Sequence, residues 1–114
     1  MNSRLIAGLF VLNLAVPAVA ADWPQFRGPN ATGVAEGAKL PDAIGPDKNV
    51  IWKIELPPGH SSPVIVGDRI YVTAVREKKE LMTIALDRAT GKPVWERKAP
   101  YKTLEKIHSI GSYA

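Results

Sequence analysis

The chain has 114 residues, 46% of them hydrophobic and 23% charged, with a formal charge of +4. That apolar content excludes a disordered chain, and the interleaving of acidic with basic residues argues against the one-sided basic face of a nucleic-acid binder. The absence of cysteine excludes disulfides, a thiolate nucleophile, a cysteine metal site and a lipid anchor on a cysteine after a leader.

Met1 to Arg4 carry one positive charge, Leu5 to Leu12 are apolar, Pro17 breaks the run, and Ala18-Val19-Ala20 are small. This is the layout of a secretory signal peptide over 1–20. Cleavage falls after Ala20, with Ala21 as the alternative, and the product is exported to the periplasm or beyond the cell. The apolar run is shorter than the ~20 residues a membrane span needs, so the mature form is expected to carry no span.

Residues 21–49 hold prolines at 24, 29, 41 and 46, which exclude a continuous helix. They read as an extended arm anchored by Trp23 and Phe26. From Val50 the texture changes to short runs of β-formers separated by turn residues. Strands are expected over 50–56, 62–66, 69–75, 81–86 and from Val94 to Lys98. Gly67-Asp68 is a two-residue hairpin turn, and Arg76 to Glu80 a charged, solvated tip. The middle strands are apolar on both faces, the pattern of a sheet covered on both sides. The fold class is therefore all-β.

Trp52 and Trp95 stand 43 residues apart, each after Ile or Val and each followed five positions on by proline, at Pro57 and Pro100. His60-Ser61 recurs as His108-Ser109, with Tyr101 to Ile107 inserted as a short helical turn. A period of ~40–45 residues with four strands per unit is the signature of a propeller blade. The first blade is expected over 50–93 and an incomplete second over 94–114, about one and a half blades of a partial β-propeller. Because a closed ring takes about 4–8 blades, the chain reads as a fragment of a longer protein.

Residues 85–95, Ala-Leu-Asp-Arg-Ala-Thr-Gly-Lys-Pro-Val-Trp, match A-x-D-x-x-T-G-x-x-x-W at every fixed position. This resembles the tryptophan-docking motif of the pyrroloquinoline-quinone (PQQ) repeat family. The Trp23-to-Asn30 opening is also similar to the start of exported members. The resemblance implies that Ala85, Asp87, Thr90, Gly91, Trp95 and Trp52 form a structural docking motif. Asp87 and Thr90 would bond turn backbone, Gly91 would leave a bare peptide face, and Trp95 would lie between blades. The turn would carry the chain from the outer strand of one blade to the inner strand of the next.

The family includes PQQ- and calcium-dependent dehydrogenases as well as cofactor-free scaffolds such as the outer-membrane-protein assembly factor. The segment shows no dehydrogenase hallmark. A vicinal cysteine pair is impossible, and no acidic cluster is spaced as a calcium loop. The only cofactor-binding candidates are His60 and His108, each equally readable as a polar residue ordering its loop. No G-x-S-x-G elbow or phosphate loop is present. The reading is an exported, non-catalytic PQQ-like propeller segment, with no cofactor evident and the remaining blades as partners. The alternatives are the N-terminal part of a PQQ-dependent quinoprotein dehydrogenase and a small exported all-β binding module. PQQ enters only if the full-length protein is a dehydrogenase.

Overall fold

The structure, a computed structural model, describes residues 21–114; the signal peptide expected over 1–20 lies outside them. The described residues form one four-stranded antiparallel sheet in the order β1-β2-β3-β4. The strands are β1 (Val64–Val66), β2 (Arg69–Arg76), β3 (Glu80–Asp87) and β4 (Pro93–Lys98). Two short 3-10 turns, at Pro29–Ala31 and Glu77–Lys79, are the only helical segments among the described residues.

The hairpin from β1 to β2 pairs Val66 with Arg69, leaving Gly67 and Asp68 as the turn. Gly67 takes φ +56 at the first turn position, which glycine adopts at no steric cost. Beta-1 is shorter than the apolar run around it because Pro63 lacks the N–H a ladder needs. Beyond its end, the free edge of β2 is satisfied by other groups. The Ser61 hydroxyl accepts from the Thr73 N–H at 3.0 Å and donates to the Thr73 carbonyl at 3.1 Å. The Val75 N–H donates to the Pro58 carbonyl at 2.7 Å.

Register decides which residues share a face. Ile70, Val72 and Ala74 on β2 stand opposite Leu86, Ile84 and Met82 on β3. Because side chains alternate along a strand, these six lie on one face. Ala74, Met82, Ile84 and Leu86 form the buried core, and Trp52, Ile54, Ile70 and Val72 pack against it. On the opposite face, Tyr71, Ala85 and Trp95 line up across three strands. Ala85 is fully buried there, and the Tyr71 and Trp95 rings meet with centroids 6.0 Å apart. A larger residue at 85 would hold those rings apart.

Three assignments are corrected. Residues 50–56 are not a strand of the sheet, although their burial alternates: Trp52 and Ile54 are half-buried, and Ile51, Lys53 and Glu55 are exposed. A strand needs a ladder as well as a pattern, and no described segment pairs with this one. Residues 94–98, assigned above to a second blade, are paired antiparallel with β3 and complete the first sheet. The turn over 87–92 is thus a connection within one sheet and not a crossover between two. Tyr101 to Ile107 forms no helical turn.

The arm over 21–49 holds to the sheet at one corner. Trp23 forms an antiparallel bridge with Ile65 on the outer edge of β1. Its ring covers Gly28, which is buried with φ +69, where a Cβ would stand 2.5 Å from the indole. Phe26, expected as a second anchor, is 69% exposed. The bridge and glycine contacts fix Trp23, whereas Phe26 has no apolar surface to cover it.

Candidate functional site

The motif over 85–95 builds a platform at one end of the sheet. Asp87 ends β3 and its Oδ1 accepts three hydrogen bonds: from the Ala89 N–H at 3.1 Å, the Thr90 N–H at 2.9 Å and the Thr90 hydroxyl at 2.8 Å. The backbone closes around them, with the Gly91 N–H on the Asp87 carbonyl and the Asp87 N–H on the Lys92 carbonyl, both at 2.8 Å. Short polar side chains do this because they reach backbone two or three residues on without a long entropic tether. The result is a rigid turn that presents one peptide face.

Gly91 supplies that face. It is buried, with φ +71, and a Cβ on it would stand 2.4 Å from the Trp52 ring. The Trp52 indole lies flat on the glycine, and its N–H donates to the Arg88 carbonyl at 2.9 Å. The half-buried indole thus gains both an apolar contact and an acceptor, the two things a buried tryptophan needs. The resemblance implies that Trp95 docks between blades on a neighbouring motif; the platform of its own motif receives Trp52. Trp95 is 38% exposed and packs on Tyr71, and its indole N–H makes no hydrogen bond among the described residues.

Arg88, at a variable position of the motif, is the residue sequence reasoning missed. Its backbone N–H donates to the Asp68 carbonyl at 2.9 Å. Its guanidinium donates to the carbonyls of Gly67 at 3.0 Å and Ala21 at 3.2 Å. Asp22 accepts from the Gly67 N–H at 2.8 Å. Residues 21–23, the 67–68 turn and the 87–92 turn are thereby tied into one corner. An arginine after Asp87 carries no local signal of this, because its partners lie 21 and 67 residues away.

The Asp87 carboxyl is held below the ordinary carboxylate range, first by the Thr90 hydroxyl, then by the Thr90 and Ala89 backbone N–H groups and by Arg69. Burial opposes this more weakly. A lowered carboxylate pKa means the unfolded chain binds the proton more readily. The turn's contribution is complete at neutral pH and is lost as pH falls through the lowered folded value. Thermal unfolding followed against pH is expected to show a loss on the acid side, and Thr90→Val is expected to move the Asp87 titration, read by NMR, back toward an ordinary aspartate. An Asp87 that titrates normally in the native chain would contradict this.

His60 and His108 lie in separate loops outside the strands. Both are exposed; the His60 backbone N–H donates to the Ala114 carbonyl at 2.7 Å, and the His108 Nδ1 accepts from the Ile110 N–H at 3.4 Å. Among the described residues no three His, Asp or Glu side chains gather to hold a metal ion. At the other end of the sheet an open concavity of about 1410 Å³ is lined by Pro57, Pro58, Val75, Leu81, Pro100 and Tyr101. Its lining is mainly apolar and also carries Arg76, Glu77 and the Glu80–Lys98 ion pair.

Comparison with known proteins finds no matching family model, no similar curated protein and no similar solved structure.

Proposed function

We propose that this chain is an exported segment of a PQQ-like repeat β-propeller that acts as a non-catalytic scaffold, with its sheet serving as one blade. The observation that supports the reading best is the seat of Trp52 on Gly91, with its N–H on the Arg88 carbonyl. A tryptophan 43 residues ahead of Trp95 docks on the motif that Trp95 itself ends. In a tandem array each unit would offer its tryptophan to the next motif, and the fixed positions of the motif would serve architecture and not chemistry.

Two measurements test the reading. Expressed with its leader in a bacterial host, the chain is expected in the periplasmic fraction with a mass beginning at Ala21. Retention of residues 1–20 in a membrane fraction would count against export. Titrated with PQQ and Ca²⁺, the purified chain is expected to retain no quinone absorbance after gel filtration. Stoichiometric retention would replace the scaffold with a cofactor-binding role.

A further inference from the structure

Residues 21–23 are held at three successive positions, each by a different part of the sheet. The Ala21 carbonyl accepts from the Arg88 guanidinium at 3.2 Å. Asp22 accepts from the Gly67 N–H at 2.8 Å and stands 3.8 Å from the same guanidinium. Trp23 pairs with Ile65 through both its N–H, at 2.8 Å, and its carbonyl, at 2.9 Å. Its half-buried ring covers Gly28.

These anchors begin at the residue that follows the expected cleavage site. No loose spacer separates the Ala18-Val19-Ala20 signal from the docked segment. Peptidases cut where the chain is exposed and free to be drawn into a cleft. The main-chain groups of residues 21–23 that a cleft would take are already engaged by Arg88 and Ile65. The alternative bond, 21–22, lies between two anchored residues and is closed by the same contacts. A folded chain is therefore cut through its locally opened form, at a rate set by the opening equilibrium.

Resting on the export reading above, we infer that docking of residues 21–23 closes the bond 20–21 to a signal peptidase, so that leader removal and assembly of this corner compete. A chain processed first docks Ala21 as its new end. A chain that folds first keeps its leader. Arg88 is the positioning residue, because its guanidinium joins the Ala21 carbonyl to the Gly67 carbonyl of the hairpin turn.

The test uses a detergent-solubilised bacterial signal peptidase on two substrates. One is the folded full-length chain, and the other a synthetic peptide of residues 1–28, which lacks Ile65, Gly67 and Arg88. The peptide is expected to be cut about tenfold faster or more, because the folded chain is cut only while the corner is open. Arg88→Ala in the full-length chain should recover most of that difference. Arg69→Ala, which removes a guanidinium bound to Asp68 and Asp87, should leave cutting slow. The Ile65 N–H, donating to the Trp23 carbonyl, reports opening without the peptidase, and its exchange in the unsubstituted chain should be slowed by a similar factor. Equal cutting of chain and peptide, slow cutting of Arg88→Ala, or cutting far faster than the opening that exchange reports would overturn the inference. A peptide cut as slowly as the folded chain removes the competition and leaves export standing. A peptide that is not cut at all takes the export reading with it.

Discussion

Replacing Trp52 by alanine is expected to destabilise the chain by about 3 kcal/mol or more, the usual loss for truncating a large packed aromatic. The indole covers Gly91, packs on the Met82–Ile84–Leu86 core and donates to the Arg88 carbonyl. Truncation removes all three and leaves apolar surface on one face of the sheet open to water. A domain this small has a total stability of the same order, so the cooperative thermal transition should disappear. Trp52→Phe separates packing from hydrogen bonding. It keeps a ring over Gly91 and loses the N–H, at a cost of about 1 kcal/mol for the bond plus a smaller packing loss. Circular dichroism melts of the three chains give the comparison. A native-like melt for the alanine variant would show that the docking contributes little.

Gly91→Ala is the second large effect. The new methyl would fall 2.4 Å from a Trp52 ring carbon, well inside any real contact, and the residue would sit at φ +71. Left-handed backbone costs a non-glycine residue about 1–2 kcal/mol, and displacing the indole adds part of the Trp52 loss. Gly67→Ala is the control. It has φ +56 but nothing within 4 Å of the added methyl, so only the backbone cost applies. The glycines therefore predict different couplings. With Trp52 already alanine, Gly91→Ala should fall to the cost of Gly67→Ala, whereas Gly67→Ala should be unchanged. Contacting sites couple in this way and distant ones add. Additive losses at Gly91 would mean that the ring does not rest on it.

Much of the sheet was legible from local chemistry. Gly67-Asp68 marks a tight turn, and the apolar runs on either side mark β1 and β2 because a hairpin needs no distant information. Beta-3 is apolar on both faces because Ile84 is buried under Trp52 and Ile54 while Ala85 is buried between Tyr71 and Trp95. What local reading misplaced was connectivity. Residues 50–56 and 94–98 are similar in composition, yet one pairs and the other does not, because pairing depends on which edge lies alongside. The same limit hides that Trp52 is the tryptophan seated on the 87–92 turn. The motif was found in the sequence, but the tryptophan that docks on it stands 36 residues before the Arg88 carbonyl it bonds. Arg88 was missed for the same reason: its role is set by the meeting of Ala21, Gly67 and the 87–92 turn.

The seat of Trp52 on the glycine turn can be read directly from the indole and Gly91 proton signals in solution. With its N–H on the Arg88 carbonyl and its ring over Gly91, Trp52 should show slow indole exchange, and the Gly91 Hα protons should be shifted upfield by the ring. Trp95, whose indole N–H makes no hydrogen bond among the described residues, should exchange fast. Equal exchange of both indoles together with unshifted Gly91 protons would contradict the account.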